Sequence, residues 1–311
     1  MSGTPRNDEY QDKEDALCTH RLFSLHKEYK VAVLRWVTAA VDEMDSRQLP
    51  RTLMLDSGAF TAWNKGKDTS VQQVLDAYQE FMDIAGDAFD NVYMINLDVI
   101  PGSKGVDPTA EQIAEAVKVS DINFKILTDR FGPVVLPVYH QGEDADRLKE
   151  VEEQSPYICV SPRNDLHEAV RVTWSAKAHS LLNEGTRTHG LATTGNKMLL
   201  NVPWWSADSA AWVLHGGYGK LDIYVDGKYT NVFLSEDAGK DRYFNQHYNN
   251  FAEPIQRRIK AVCESYGFTL EEVKRSGRIR GIVNMGELVK FANHVKVTGV
   301  NAKVQDTLFG V

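Results

Sequence analysis

Seven short apolar runs alternate with longer amphipathic stretches along 311 residues, and together they predict an α/β fold: a (β/α)8 TIM-like barrel with a hairpin insertion and C-terminal helices. Three observations carry that expectation. The apolar runs are short and bounded by turn residues, as strands are. The stretches between them are long enough to serve as crossovers between parallel strands, and right-handed crossovers place helices outside the sheet. The length suits one barrel with additions, and with seven repeats closure is favoured over an open sheet. The organisation expected is a disordered acidic tail over 1–16, a catalytic α/β barrel over 17–236 and a C-terminal helical region over 237–311.

Taken in order, the tail carries Asp8, Glu9, Asp12, Glu14 and Asp15 without apolar periodicity. The expected strands are RLFSL (21–25), TLMLD (52–56), VYMINLD (92–98), VVLPVY (134–139), YICVS (157–161), THGLA (188–192) and PWWSAD (203–208). Helices are expected over 27–44, 70–85, 109–130, 143–153, 165–184 and 195–200. Thr69 and Ser70, Asp107 with Pro108, and Asn164 with Asp165 stand where short polar side chains accept from free helix N–H groups. After Asp208 the rhythm changes. Asp226-Gly227 between two alternating runs signals a hairpin over 221–234, one strand of which can supply an eighth stave. A long helix over 240–266, a shorter one after Thr269 and another over 280–295 complete the chain.

Composition excludes several classes. Hydrophobic residues make up 42% of the chain, too many for disorder throughout. No stretch approaches the roughly 18 consecutive apolar residues of a membrane helix, and the N-terminus lacks the basic-then-apolar pattern of a secretory leader, so a cytoplasmic protein without membrane contact is expected. Cys18, Cys159 and Cys263 form no CxxC pair, which argues against a disulfide framework or a compact zinc site. A net charge of −8 disfavours a surface that grips nucleic acid everywhere. One stretch is locally basic. Arg257, Arg258, Lys260, Lys274, Arg275, Arg278 and Arg280 outnumber Glu264, Glu271 and Glu272, which reads either as a nucleic-acid contact or as a solvated helix face.

The chemistry sits at the strand ends. Side chains at the carboxyl ends of parallel barrel strands converge on one mouth. Here those positions hold Asp56, Asp98, His140 with Gln141, Ser161, His189 and Asp208. One Asp after a strand is ordinarily a helix cap; three point to a site. If Ser57 or Ser209 caps the following helix, the neighbouring carboxylate is left for the mouth. Clustered carboxylates shift one another's proton affinity, and paired carboxylates are what glycosidic-bond chemistry uses. Phe60 and Trp63 offer flat faces for core packing or for stacking a planar base. The Gln141 amide donates and accepts in one plane, which suits a purine edge, while His140 fits hydrogen bonding or plain packing.

These residues also form an ordered set. DSGAF (56–60), NLD (96–98), HQG (140–142), YICVS (157–161), THGLATT (188–194) and WWSADSAAWVLHGGYG (204–219) resemble, in order, the motifs of the queuine-type tRNA-guanine transglycosylases. They are more similar still to the short DpdA-type DNA 7-deazaguanine transglycosylases of bacteriophages and bacterial DNA-modification systems, whose small-Asp-Ser-x-x-Trp signature the last segment resembles. The resemblance runs from about Leu53 to Tyr218. It implies a base exchange in DNA. Asp208 would match the nucleophile that expels guanine and Asp56 the general acid/base. Asp98 and Gln141 would read the base edge, Phe60 would stack on it, and Gly142, Ser57, Ser161 and His140 would complete the base-binding set. The co-substrate implied is a 7-deazaguanine base such as 7-cyano-7-deazaguanine, with no other cofactor. YICVS replaces the Gly-Gly-Leu segment of the tRNA enzymes. Their zinc site needs clustered cysteines, whereas only Cys263 follows position 219, so no structural zinc is expected. Alternatives from the same residues are guanine exchange in tRNA, a metal-dependent hydrolase ligated by Asp56, Asp98, His140, His189 and Asp208, and a catalytically silent nucleic-acid-binding protein.

Overall fold

The computed structural model describes residues 10, 20–24, 52–66, 69–225, 227–235 and 244–298. Apart from Tyr10, whose ring lies edge-on to that of Phe268 at 6.0 Å, the expected acidic tail lies outside the described residues, as do the helix expected over 27–44 and positions 299–311. Two compact units divide between Asp208 and Ser209.

The first unit is α/β with parallel sheets. Its strands are β1 (His20–Ser24), β2 (Thr52–Asp56), β3 (Asn91–Ile95), β4 (Val135–Leu136), β5 (Val138–His140), β6 (Tyr157–Ser161), β7 (Arg187–Gly190) and β8 (Ser206–Ala207). All pairings are parallel and follow chain order, β1-β2-β3-β4 and β5-β6-β7-β8. Pro137, which has no N–H to give, separates β4 from β5. The backbone still bonds to both neighbours there, with Asn96 N–H donating to Leu136 O at 3.0 Å and Cys159 N–H to Pro137 O at 2.8 Å. Each expected strand is therefore present, VVLPVY as two short pieces of one run.

The helices of this unit are α1 (Ala59–Asn64), α2 (Val71–Ala85), α3 (Ala110–Phe131), α4 (Ala145–Gln154), α5 (Glu168–Leu181) and α6 (Asn196–Asn201). Alternation of side chains along each strand creates two faces. Leu53, Leu55 and Met94 pack under Val74, Tyr78 and Phe81 of α2 and Leu127 of α3. Tyr139, Ile158 and Val160 pack under Leu148 and Val151 of α4 and Ala178 of α5. The opposite face is a separate cluster of Met54, Ile95, Leu136, Val138, Tyr157 and Cys159. Burying each such side chain contributes about 1.5–3 kcal/mol.

Two of the expected caps move. Ser70 caps α2 in a capping box with Gln73, as its sequence suggests. For α3 the cap is Thr109, boxed with Gln112, and for α5 it is His167. Asp107 and Asp165 are instead ion-paired with Arg163, Asp165 also accepts from Gly105 N–H at 3.0 Å, and Asn164 accepts from Arg171. A charged partner outcompetes a helix N–H for the same carboxylate.

The second unit holds the hairpin β9 (Lys220–Val225) and β10 (Lys228–Phe233) with α7 (Ala211–Gly217), α8 (Glu253–Ser265), α9 (Leu270–Arg275) and α10 (Gly277–Thr298). Gly227 takes the left-handed φ of 76° that the tight turn requires, while Asp226 lies outside the described residues. The hairpin is its own two-stranded antiparallel sheet, with Leu221, Ile223 and Val232 buried among Ile259, Cys263, Val273, Ile279 and Val283. Among the described residues it therefore supplies no eighth stave, and it belongs with the C-terminal helices. The helix expected from 240 begins only at Glu253, where Pro254 fits the first turn; two short 3-10 turns, Phe244–Gln246 and Tyr248–Asn250, come before it. Arg280, expected in the basic contact stretch, is buried, with Nε donating to Gly216 O at 2.9 Å and Nη1 to Val273 O and Lys274 O. It joins α7, α9 and α10 and is out of reach of a phosphate.

Gly216 lets α7 and α10 meet: a Cβ there would lie 2.6 Å from Gly277 O and 2.7 Å from Gly281 N, whereas one at Gly217 would meet nothing within 4 Å. Gly216→Ala should lower stability by about 1–3 kcal/mol, since backbone must shift, and Gly217→Ala should be neutral or stabilising. Denaturant midpoints of the two variants measure the contrast.

Candidate active site

Alternation along the strands carries the inner face to their carboxyl ends. Asp56 follows Met54 by two positions, His140 follows Val138, Ser161 follows Cys159 and His189 follows Arg187, so these side chains continue that face. Asp98 arrives differently. β3 stops at Ile95, and α3 then grips the segment 96–99: Asn96 Nδ2 donates to Ser120 O, Asn123 Nδ2 to Leu97 O, and Val99 N–H to Ser120 Oγ. The resulting hook sets Asp98 Oδ2 2.8 Å from His140 Nε2, with both side chains buried.

The turn after β7 is shaped around Asp208. Asp208 N–H donates to Gly190 O at 3.1 Å and Thr193 N–H to Asp208 O at 2.9 Å. The carboxylate Oδ1 accepts from Ala192 N–H at 3.2 Å and lies 3.4 Å from His189 Nε2. Ala192 adopts φ 54°, a left-handed conformation that costs a non-glycine residue on the order of 1 kcal/mol or more. Gly190 has no room for a side chain, because a Cβ would meet Thr193 Oγ1 at 2.1 Å and Trp204 at 2.9 Å. The two imidazole–carboxylate contacts are close, but neither has the angles of a good hydrogen bond.

Burial and charge act in opposite directions here. Burial alone raises the Asp208 carboxyl, but the His189 ring and the Ala192 amide outweigh it and hold the group below the usual carboxylate range. Burial lowers His140, yet Asp98 beside it, helped by Glu143 and opposed by Arg147, leaves it above its ordinary value. Burial raises Glu143, whose Oε2 accepts from His140 N–H at 3.1 Å. The thiol of Cys159, fully buried on the inner face, is pushed up by burial and then by the charges of Asp98, Asp208 and Asp56. Burial, Asp56 and Asp98 likewise push up the hydroxyl of Tyr78, which donates to Ile95 O at 2.7 Å. Three carboxylates from three strand ends thus act on one buried thiol.

Asp98 is thus in contact with His140 and Asp208 with His189, while Asp56 shares with Asp98 and Asp208 their electrostatic effect on Cys159. Gln141 is adjacent but partly engaged: its N–H donates to Ser161 O and its Oε1 accepts from Arg163 N–H, both at 3.0 Å, leaving the amide nitrogen as a donor. Gln141 and Gly142 line a cavity of about 470 Å³ with Tyr139, Trp174 and Lys177 between α4 and α5, apart from the three carboxylates. Asp56 and Ser57 line another of about 150 Å³ with Gln73 and Tyr78. Ser57 Oγ accepts from Ala59 N–H at 3.4 Å but is not the cap of α1, whose N-cap is Gly58 without a side-chain cap hydrogen bond, and Asp56 Oδ1 accepts from Gly58 N–H at 3.3 Å. Phe60 is 47% exposed on α1, its ring 5.8 Å from that of Trp63.

Sequence reasoning passed over two residues of this face. Ser206 Oγ lies 2.6 Å from both His189 Nδ1 and the Tyr157 hydroxyl. The signal that could have found them is spacing: Ser206 precedes Asp208 by two positions, and Tyr157 precedes Cys159 by two. Among the described residues no group of three or more His, Cys, Asp or Glu side chains is arranged to hold a metal ion, and no helix is long and apolar enough to cross a membrane. Compared with known proteins, the chain matches no family model and no curated protein.

Asp98→Asn should lower the titration of His140, since burial and Arg147 would then be opposed by Glu143 without Asp98. Imidazole proton NMR measures it. Because the folded value is raised, the Asp98–His140 contact stabilises the protein fully below about pH 6.5 and ceases to do so as pH rises through the folded value. The variant should lose that low-pH stabilisation.

Proposed function

We propose that this chain is a base-exchange transglycosylase that replaces guanine in DNA with a 7-deazaguanine, 7-cyano-7-deazaguanine or a derivative, through a covalent glycosyl-enzyme on Asp208. The supporting observation is that Asp56, Asp98 and Asp208, from separate strand ends, all act on the buried Cys159 thiol, with Asp98 and Asp208 each against a buried imidazole and Asp208 held below the usual carboxylate range. In this reading the parallel strands close into a (β/α)8 barrel whose mouth those strand ends line.

A target guanine first leaves the duplex, at a cost of a few kcal/mol. The Asp208 carboxylate attacks the sugar C1′ as the C1′–N9 bond breaks, and the bond's electron pair departs with the base. In the reacting form Asp56 is the protonated carboxyl of the three, and the proton guanine takes away comes from it. The incoming deazaguanine returns a proton to Asp56, and its ring nitrogen attacks C1′ and displaces Asp208. One N-glycosidic bond replaces another, so the exchange is close to balanced. Asp98 would accept from the base edge, the Gln141 amide nitrogen would have to turn from the neighbouring cavity to donate to it, and half-exposed Phe60 offers a stacking face. Gly142, Ser57, Ser161 and His140 complete the base-binding set.

DNA docking falls to the basic stretch without Arg280. Arg257, Arg258, Lys260 and Arg275 are exposed, while Lys274 and Arg278 are partly buried. Arg257 pairs with Glu253 and Lys260 with Glu264 on the surface of α8, contacts worth about 0–1 kcal/mol that a phosphate can replace.

Cells expressing the chain with a deazaguanine supply should contain modified deoxyguanosine in their DNA, and Asp208→Ala should abolish it, a loss on the order of 10⁴-fold or more. Nucleoside mass analysis reads the product, and intact-protein mass spectrometry after denaturation reads a nucleic-acid adduct at Asp208. Labelled guanine entering tRNA instead of DNA would assign the substrate to tRNA. Replacing Arg257, Arg258 and Lys260 by Ala should flatten the salt dependence of DNA binding, by up to about 0.9 in the log–log slope for each phosphate no longer neutralised.

A further inference from the structure

We infer that His189 is a positioning residue for Asp208, locked by Tyr157 and Ser206 in the tautomer that carries its proton on Nε2, so that an N–H faces Oδ1 and Oδ2 is left to attack. The role, though not the tautomer, rests on Asp208 being the nucleophile.

The direction of the chain of hydrogen bonds follows from counting protons. Among the described residues the Tyr157 hydroxyl has one hydrogen-bond partner, Ser206 Oγ at 2.6 Å. Tyr157 sits in the inner apolar cluster, and burial pushes its hydroxyl up, so it keeps its proton through the neutral range and donates it to Ser206. Ser206 has a single proton of its own, and the remaining partner at 2.6 Å is His189 Nδ1. Ser206 Oγ could accept twice, but only if it gives its own proton to Nδ1 does every hydrogen of the chain find an acceptor; Nδ1 is then the acceptor, and a neutral ring carries its hydrogen on Nε2.

Nε2 is buried without a well-formed hydrogen bond, and Asp208 Oδ1 is the carboxylate oxygen 3.4 Å away. Such contacts are often long before substrate binds and tighten afterwards. Ala192 N–H already donates to the same Oδ1, so both donors gather on one oxygen and neither engages Oδ2. The strained φ of Ala192 serves this placement. The titratable and charged neighbours of the ring are Asp208, Cys159 across the ladder on β6, and Arg187 two positions before it, whose guanidinium lies 5.0 Å from the centre of the Tyr157 ring. Beyond Cys159 lie Asp98 and Asp56.

Two measurements on the full chain test this without requiring base exchange. In ¹⁵N-histidine-labelled wild-type protein at neutral pH, His189 should show the Nε2–H tautomer; an Nδ1–H ring or a charged ring overturns the inference. In ¹³C-carboxyl-labelled protein, with the Asp208 signal assigned by its loss in Asp208→Asn, Asp208 should titrate about one pH unit higher, a ten-fold tighter proton, in His189→Phe. It should also rise in Ser206→Ala and Tyr157→Phe and stay low in His189→Gln, which retains an N–H donor. An unchanged titration in Ser206→Ala and Tyr157→Phe overturns the inference. If a variant fails to fold, the wild-type tautomer decides. A chain with the Nε2–H tautomer that never forms an adduct would refute the nucleophile while leaving the tautomer in place.

Discussion

Burying a carboxylate away from water costs several kcal/mol unless a partner answers it. Asp98 and Asp208 are each only 8% exposed, and each has an imidazole from a strand beside its own: His140 for Asp98, His189 for Asp208. Those pairings exist because the strands run parallel and in chain order. Every neighbouring pair brings its carboxyl ends to the same edge, so a side chain at one strand end finds its partner at the next. A different strand order would leave both charges unanswered.

The rest of the first unit acts to hold these groups still. α3 fixes the irregular segment bearing Asp98 through Asn96, Ser120 and Asn123. The turn after β7 wraps Asp208 with backbone bonds, a strained Ala192 and a glycine that admits no side chain. Beneath them Tyr157 and Ser206 fix His189 from the apolar side. Rigid donors aimed at one carboxylate are what electrostatic preorganisation consists of, since nothing has to reorient when charge moves.

The second unit shows what buried charge looks like when its role is architectural. Asp222 is 2% exposed and both its oxygens meet His215 Nδ1 at 2.9 Å, while its own N–H donates to Asn284. Glu287 is fully buried and accepts from Tyr224 N–H, the Tyr266 hydroxyl and Lys290. Arg280 donates to three backbone carbonyls. The Asp222 carboxylate ties the hairpin to α7, and the Glu287 carboxylate ties it to α10. On the inner face of the first unit, by contrast, His140 Nε2 and His189 Nε2 are buried with incomplete hydrogen bonding.

The positions of the strands and most helices were legible because they depend on neighbours a few residues apart: the alternation in TLMLD and YICVS, the Gly-bearing turn of the hairpin, the Ser70 box. So was the set of polar strand ends. Which strand end meets which was not. Asp165 looks like a cap until Arg163 takes it, and Arg280 looks like a surface cation until three distant carbonyls enclose it. The eighth stave could not be assigned either, since the apolar face of β9 fits a sheet or a helix layer equally well, and the helices of the second unit cover it. The chain by itself determined the elements and the residues at their ends, because backbone periodicity is local. Only the tertiary structure decided the pairs, Asp98 with His140 and Tyr157 through Ser206 to His189, because the free energy of a buried polar group depends on what stands within about 3 Å of it, and residues far apart in sequence supply that.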